Sequence, residues 1–306
     1  MTVGKLVPTE VGFFSRIRLL SFEVILRLLA LFPIGILRAF GWLYGNFVYF
    51  LNGRSTRTTR VNLELCYPQK SLCELKSLAR KSLIETSRAA LEIAPLWYWR
   101  QSALENLLVE YKGEDLLREK LTQGAVVAVC PHWGNWEYTT LALGARFPTT
   151  ALFDSRRLGI FANRVLKARA RFGFNLVPVS GTGLRTLIQA IREGQVVLVL
   201  PDQVPTRGSH VLVEFMGVKA QTTSLVHALA RRENVSVVMF TIQRVPKGFV
   251  VQIESAGSEV MHANAEVAAQ ALNDEVERVI RREPTQYQWE YKRFRRVPDQ
   301  DVYQKR

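Results

Sequence analysis

His132 and Glu137 are the residue pair in this sequence best suited to chemistry, because an imidazole beside a carboxylate can act as a general base. The apolar run 125–129 before them predicts a buried strand, and residues 136–146 predict a helix. The glycine-asparagine pair between strand and helix permits a tight turn. We therefore expect both side chains on a strand-to-helix turn, where open α/β sheets hold their ligands.

A carboxylate next to an imidazole fixes the tautomer of the ring and stabilises the imidazolium that forms when the ring accepts a proton. We therefore predict that Glu137 orients His132 as a general base. The alternative is a surface hydrogen bond with no catalytic role. Trp133 and Trp136 favour a binding site, because exposed turns seldom carry two tryptophans unless these pack or bind something apolar. Cys130 follows the β-branched run and is expected to face the core rather than to act as a nucleophile.

Asp202 and Gln203 form a second polar cluster, directly after the apolar run 195–200. If the strands are parallel, the ends of both lie on the same sheet edge as His132. There the two side chains would contact substrate hydroxyls or support the loop that carries the histidine. A turn in which the aspartate caps backbone amides explains the pair equally well.

Two predicted helices carry groups that could bind phosphate. Thr222 and Thr223 open a predicted helix over 222–232, where hydroxyl groups are typical of an N-cap and backbone amides could bind a phosphate or an oxyanion. Arg164 lies, with two other basic residues, on one face of a predicted helix over 159–172, which suits the phosphate groups of a substrate. Simple capping and a solvated basic face are the alternatives.

The charge of the chain indicates an anionic partner. Its 306 residues include 41 lysines and arginines against 27 aspartates and glutamates, a net charge of +14. Nucleic acid, anionic lipid and an acidic carrier protein all fit this charge. Residues 284–294 interleave aromatic and basic side chains, a composition typical of nucleic-acid or membrane-interface contacts. The sequence contains no zinc-ligand spacing, Walker loop or Rossmann glycine pattern, so we expect neither a metal nor a cofactor.

Residues 12–53 are rich in large apolar side chains that arginines interrupt. The longest stretch without a charge, 39–53, is shorter than the ~20 residues that a membrane-spanning helix needs. This pattern predicts basic amphipathic helices that lie at a membrane interface. A buried helical hairpin and a single tilted span are the alternatives. We therefore divide the chain into an amphipathic membrane-associated helical segment, 1–53, and a main domain, 54–306.

Downstream of residue 107, predicted strands and helices alternate. Strands are predicted over 107–111, 125–130, 148–153, 175–179, 195–200, 211–215, 235–243 and 248–254. Helices are predicted over 71–99, 114–121, 136–146, 159–172, 182–193, 222–232 and 264–282, and residues 54–62 are expected to form a basic connector. The alternation predicts an α/β fold with a mixed, mostly parallel central sheet flanked by helices, in which the last two strands form an antiparallel hairpin.

Five segments together resemble one known family. They are Arg60–Pro68, His132–Glu137, Pro201–Gln203, Thr222–Thr223 and Gln286–Phe294. In this order, and over most of the chain, they are similar to the late acyltransferases of bacterial lipid A biosynthesis, the lauroyl and myristoyl transferases, within the lysophospholipid acyltransferase superfamily. The spacing of the histidine and the glutamate is a weak signal by itself, and the set of five segments is far more specific.

The resemblance implies transfer of a fatty acyl chain from acyl carrier protein or acyl-coenzyme A to a hydroxyl of a lipid A precursor or related glycolipid, at the cytoplasmic face of the inner membrane. It makes His132 the general base and Glu137 its partner. Arg169 falls where the family has an arginine implicated in activity. The expected partners are the membrane and the glycolipid, not nucleic acid, and residues 54–306 become the acyltransferase domain. The residues expected to contact substrate are Arg169, Asn135, Arg164, Asp202, Gln203, Thr222 and Thr223.

One segment departs from the family pattern. Related lipid A enzymes often carry Tyr-Arg-Pro after the third core strand, where this chain has Phe153-Asp154-Ser155, with Arg156 or Arg157 as a substitute. The departure leaves other acceptors open, namely a mannosylated phosphoinositide or a lysophospholipid. A non-catalytic basic protein that binds membrane or nucleic acid is the second class of function. A serine esterase is not expected, because no Gly-x-Ser-x-Gly elbow occurs.

Overall fold

The computed structural model describes residues 13–155, 158–205, 208–298 and 301–303. Within these residues, the α-helices are α1 Phe13–Leu29, α2 Ile34–Leu51, α3 Arg54–Cys66, α4 Leu72–Tyr98, α5 Gln101–Glu105, α6 Glu114–Gln123, α7 Thr139–Ala142, α8 Ala162–Arg169, α9 Gly181–Arg192, α10 Leu225–Ala230 and α11 Ala265–Arg282. The strands are β1 Leu108–Lys112, β2 Ala125–Val129, β3 Thr149–Phe153, β4 Phe174–Pro178, β5 Val196–Val199, β6 His210–Phe215, β7 Val218–Thr223, β8 Val235–Val245 and β9 Gly248–Ser255.

Seven of the described strands form one sheet in the order β1-β9-β8-β2-β5-β3-β4. Neighbouring strands pair in parallel except β8 and β9, which form an antiparallel hairpin. The predicted α/β fold with a mixed, mostly parallel sheet is therefore confirmed. β6 and β7 form a separate antiparallel hairpin outside this sheet.

The central strand β2 shows why the sheet is covered on both faces. All five of its residues are apolar and buried. Val126 and Ala128 belong to the core that α4 to α8 build on one face. Val127 and Val129 belong to the core that α3, α9, α10 and α11 build on the other face. A parallel strand with apolar residues at every position lies in the middle of such a sandwich.

The predicted connector over 54–62 is wrong, because these residues begin helix α3. Thr56 and Asn62 are buried on the inner side of this helix. Thr56 donates a hydrogen bond to the Val48 carbonyl at 2.9 Å, and Asn62 donates to the Trp289 carbonyl at 2.7 Å. Threonine and asparagine have low helix propensity. Long-range contacts, which no local sequence pattern indicates, therefore stabilise this helix.

Residues 218–223 form strand β7 rather than the start of a helix. The turn before it, Met216–Gly217, has positive φ at both positions (52° and 77°), the geometry of a tight hairpin turn. Helix α10 therefore covers only Leu225–Ala230. The predicted helices over 136–146 and 159–172 are present, but both are broken into short α and 3-10 pieces.

Helix α2 packs against α4 at two glycines. A Cβ at Gly41 or Gly45 would collide with α4, so glycine permits this close approach. By length and composition, α2 is also apolar enough to cross a membrane. The start of the predicted N-terminal segment, 1–12, lies outside the described residues. The large apolar side chains that α1 and α2 expose are Phe14, Ile17, Leu20, Val24, Ile25, Leu28, Ile36, Phe40, Trp42, Leu43, Tyr44, Phe47, Phe50 and Leu51.

Candidate active site

The 130–137 turn follows strand β2 and is held against strand β8. The Asn135 N–H donates a hydrogen bond to the Ile242 carbonyl at 2.9 Å. Gly134 has φ +64°, and a Cβ there would collide with the same carbonyl, so this position requires glycine. The turn places the side chains of the motif at the carboxyl end of the parallel strands.

The His132 ring is oriented by Asp202. Its Nδ1 lies 2.8 Å from Oδ1 of Asp202, and the backbone N–H of His132 donates to Oδ2 at 2.9 Å. Burial raises the pKa of this carboxyl, but an imidazolium at His132 and the hydrogen bonds from that residue hold the pKa below its usual value. An ionised carboxylate only accepts hydrogen bonds, so Nδ1 carries the proton and Nε2 is the basic nitrogen. Nε2 has no hydrogen-bond partner within the described parts of the chain.

The expected hydrogen bond between His132 and Glu137 is not formed among the described residues. Glu137 instead accepts from Nε and Nη2 of Arg169 (2.9 and 2.8 Å) and from Nε1 of Trp97 (3.1 Å). Residues 136–138 form a 3-10 turn, and the glutamate on it contacts α4 and α8 rather than the histidine. The contact with His132 that the spacing predicted for Glu137 is therefore made by Asp202, the aspartate after β5, and Glu137 contacts Arg169.

A cavity of about 410 Å³ adjoins His132. Its polar lining includes the carboxylate of Glu137 and the guanidinium of Arg169. An apolar wall with a few polar groups suits a long apolar chain that carries one polar end. Arg156 and Arg157, the expected substitutes for the family's arginine, lie outside the described residues. The large apolar side chains of the wall are Leu152, Phe153, Leu158, Phe174, Leu176 and Leu198.

A second, smaller cavity of about 130 Å³ also reaches His132. It lies between α4 and the C-terminal segment, and most of its lining residues are polar. His132, Trp136 and Glu137 line both cavities. The histidine therefore stands at the junction of a larger cavity and a smaller one.

Gln203 and Thr223 line the larger cavity. Thr222 does not, because its hydroxyl accepts hydrogen bonds from Asn273 and Arg293 inside the protein, both at 3.0 Å. Since both threonines lie on β7, the helix start that was expected to bind an anion does not form there. Thr222 therefore supports the fold, and Thr223 faces the site.

Arg164 joins α8 to the N-terminal helices. It donates to Glu23 of α1 at 2.6 Å and lies over the Tyr98 ring at 4.7 Å. Arg171, from the same predicted face, donates to two carbonyl groups at the end of α4. Two of the three basic residues of the predicted phosphate-binding face thus make contacts within the protein, and the third, Lys167, is exposed. Arg169, from another side of the helix, is the arginine that lines the larger cavity.

A buried charge cluster behind the turn was not predicted. The fully buried Glu92 accepts hydrogen bonds from Arg38 (2.7 Å), Arg244 (2.9 Å) and Nδ2 of Asn135 (2.6 Å). Burial by itself raises the pKa of Glu92, but the guanidinium groups of Arg244 and Arg38 hold it below its usual value. Asn135 therefore ties the turn to α2, α4 and β8. These four residues are far apart in sequence, so no local signal could have indicated the cluster.

The segment 284–294 is part of the core rather than a surface for nucleic acid or lipid. Trp289 and Phe294 are each 1% exposed. The Gln288 N–H donates to the His132 carbonyl at 3.2 Å. The alternation of aromatic and basic residues therefore reflects packing, and the segment helps to hold the end of β2.

Cys130 is buried, as expected. Burial raises the pKa of its thiol to about 12. Such a thiol is not ionised at neutral pH, which argues against a nucleophilic role.

The sequence is similar to known acyltransferases along most of its length. It is 28% identical over 258 residues to the lipid A biosynthesis lauroyltransferase of Escherichia coli, covering 80% of this chain and 81% of that protein. It is 25% identical over 252 residues to the lipid A biosynthesis palmitoleoyltransferase of the same organism, covering 81% of each. A lipid A biosynthesis acyltransferase of Haemophilus influenzae is 28% identical over 274 residues, 85% of this chain and 83% of that protein. Because residues 17–296 match the family model described as bacterial lipid A biosynthesis acyltransferase, this protein is an acyltransferase that belongs to that family.

Proposed function

We propose that the protein transfers a fatty acyl chain from a thioester, on acyl carrier protein or coenzyme A, to a hydroxyl of a lipid A precursor or related glycolipid. One observation carries the proposal: a histidine oriented by a buried carboxylate lines an apolar cavity. The relatives named above are lipid A biosynthesis acyltransferases, which supports the acceptor class.

The proposed reaction needs no covalent acyl-enzyme, since a thioester is already activated. Nε2 of His132 takes the proton of the acceptor hydroxyl while its oxygen attacks the thioester carbonyl carbon. The carbon–sulfur bond then breaks, and the leaving thiolate takes the proton from the imidazolium. Asp202 stabilises the imidazolium in between. General-base assistance of this kind contributes typically ~10²–10⁴-fold to the rate.

Arg169 is the group we propose to stabilise the oxyanion of the tetrahedral intermediate. Its guanidinium lines the larger cavity and is fixed by two hydrogen bonds to Glu137. A donor that is already in place when charge develops costs no reorganisation at the moment of reaction. The proposed role of Glu137 is therefore to position the arginine, not the histidine.

The larger cavity is the proposed site of the donor's acyl chain. Its apolar wall includes residues of strands β3, β4 and β5. In such a cavity, each CH₂ group withdrawn from water contributes about 0.8 kcal/mol. The depth of the wall would then set the preferred chain length.

We further propose that residues 1–53 attach the acyltransferase domain, 54–306, to the cytoplasmic face of the inner membrane. The support is the set of large apolar side chains that α1 and α2 leave exposed. An apolar surface of this extent is typical of contact with a membrane or another protein. Attachment would bring the site to an acceptor that resides in the bilayer.

The decisive experiment is lipid mass spectrometry on a bacterial strain that lacks its late lipid A acyltransferases. The strain would express the wild-type chain, His132→Ala, Glu137→Ala, or the matched control His210→Ala, which changes an exposed histidine on β6. We expect a new acylated lipid A species with the wild type and the control and none with the two site variants, all four being present at equal level.

The mass shift of that species would give the length of the transferred chain. Unchanged lipid A with the wild-type chain would reject this acceptor, and new species among phosphoinositide mannosides or phospholipids would identify another one. Full activity of His132→Ala would reject the mechanism itself.

A further inference from the structure

The smaller cavity beside His132 has no role in the mechanism described so far. Its walls come from α4 and from the residues after the 3-10 turn Pro284–Gln286. Its apolar part is formed by Ala89, Ala90, Ile93 and Trp136, and its polar side chains, apart from the catalytic turn, are Glu85, Thr86, Gln286, Gln288 and Glu290.

Glu290 brings a carboxyl group into this cavity. Thr86 Oγ1 donates a hydrogen bond to Oε2 of Glu290 at 3.1 Å. A positive charge on His132 also acts on this carboxyl group. Within the described residues, no lysine or arginine forms an ion pair with this carboxyl. Burial raises the pKa of Glu290 above its usual value. The oxygens of a carboxyl group accept hydrogen bonds in either protonation state.

We propose that this smaller cavity binds the hydroxyl-bearing end of the acceptor, with Thr86, Gln288 and Glu290 as its hydrogen-bonding contacts. The proposal rests on the acyl transfer proposed above and assigns one cavity to each substrate. The donor's acyl chain occupies the larger cavity, and the two reacting groups meet at Nε2 of His132.

The geometry of the reaction supports this assignment. The acceptor oxygen must lie within hydrogen-bond reach of Nε2 and within about 3–3.5 Å of the thioester carbon at the same time. Because His132, Trp136 and Glu137 line both cavities, groups held in the two cavities can meet at the imidazole.

The chemistry of the lining agrees with a hydroxyl ligand. A hydroxyl donates one hydrogen bond and accepts two, which matches the amide of Gln288 and the carboxyl group of Glu290. An acyl chain carries no group that could form a hydrogen bond with Gln288 or Glu290.

The volume limits which part of the acceptor can enter. At about 130 Å³, the cavity has room for a small group and not for a whole glycolipid. The cavity therefore holds the hydroxyl-bearing carbon and its nearest neighbours, and the rest of a glycolipid lies outside it.

The test uses the full-length enzyme in detergent micelles, with lauroyl-coenzyme A as the donor probe and a lipid A precursor as the acceptor probe. Three quantities are measured: the KM of the acceptor, the KM of the donor, and the slow hydrolysis of the thioester without acceptor. Glu290→Ala removes a hydrogen-bonding group of the cavity, and Ala89→Leu reduces its volume. Glu259→Ala, which changes an exposed glutamate, is the matched control.

We expect both cavity variants to raise the acceptor KM by about threefold to tenfold, the effect of one lost hydrogen bond or a steric clash. The donor KM and the thioester hydrolysis should remain at the wild-type values. An unchanged acceptor KM in both variants would overturn the proposal, and so would an equal loss of all three quantities, which would indicate a purely structural role. If the wild-type enzyme hydrolyses the thioester and acylates no acceptor, the proposed function fails first and this proposal fails with it.

Discussion

His132 depends on a carboxylate that lies 70 residues further along the chain. Glu137, the glutamate of the same motif, accepts a hydrogen bond from Arg169 instead. The proposed base and the arginine proposed to stabilise the oxyanion thus each have their own carboxylate, and each pair can be tested separately.

Asp202→Asn should lower kcat by about 10²–10⁴-fold, because an amide neither stabilises the imidazolium nor fixes the tautomer with a basic Nε2. Steady-state kinetics measures the effect, and circular dichroism checks that the variant is folded. Asp115→Asn, an exposed aspartate on α6, is the control and should keep the wild-type kcat. A wild-type kcat in Asp202→Asn would show that this carboxylate does not assist the histidine.

Glu137→Gln and Arg169→Lys should both lower kcat, and the double variant should be scarcely slower than the slower single variant. The reason is that both changes remove the same two-bond contact between carboxylate and guanidinium. A double-mutant cycle on kcat measures this coupling. Additive losses would instead mean that Glu137 acts independently of Arg169.

At the scale of elements, the 130–137 turn is held in place by the buried charge cluster around Glu92. This carboxylate joins α4 to α2 through Arg38, to β8 through Arg244 and to the turn through Asn135. The packing of the N-terminal helices is therefore linked to the position of the active site.

Glu92→Gln should lower the free energy of unfolding by about 3–5 kcal/mol, because it leaves the buried guanidinium of Arg38 without its anion and leaves Arg244 with Glu85 alone. The folded-state pKa of Glu92 is lowered, so its contribution is present above the unfolded pKa of about 4.3 and is lost as the pH falls through the folded value. Urea unfolding at neutral and acidic pH measures both effects. The exposed Glu119→Gln is the control, and equal stability of Glu92→Gln at neutral pH would contradict the argument.

The exposed face of α2 should be the membrane-binding surface. Leu43→Glu combined with Phe47→Glu should weaken binding to anionic vesicles by about tenfold or more, since burying each apolar side chain contributes ~1.5–3 kcal/mol. Vesicle flotation measures the bound fraction. The matched control, Leu212→Glu with Val267→Glu, changes two exposed apolar residues on β6 and α11. Equal binding of both double variants would assign the membrane contact elsewhere.

At the scale of the whole molecule, the net charge of +14 is the property that acts over the longest distance. Such a charge accelerates the encounter with an acidic partner and is screened by salt. This bears directly on which thioester is the donor.

If acyl carrier protein is the donor, kcat/KM should fall by about tenfold or more between about 0.1 M and about 1 M salt. An uncharged N-acetylcysteamine thioester, assayed in parallel, should change by no more than about twofold. Stopped assays at a series of salt concentrations measure both. Equal salt dependence for the two donors would argue against electrostatic recognition of a carrier protein.

The sequence by itself determined the alternation of strands and helices, the burial of β2 and the strand-to-turn placement of the histidine. These features depend on apolar periodicity and turn chemistry within about ten residues. The five spaced segments also sufficed to indicate the family, which the match over residues 17–296 confirmed.

The tertiary structure alone decided which side chains meet. Asp202 reaches His132 because β5 is hydrogen-bonded to β2, a strand order that periodicity does not encode. Likewise, long-range hydrogen bonds make 54–66 a helix despite its weak local propensity. Partners separated by tens of residues are selected by the packing of the whole sheet and its helices, so local sequence could predict the groups of the site but not their pairing.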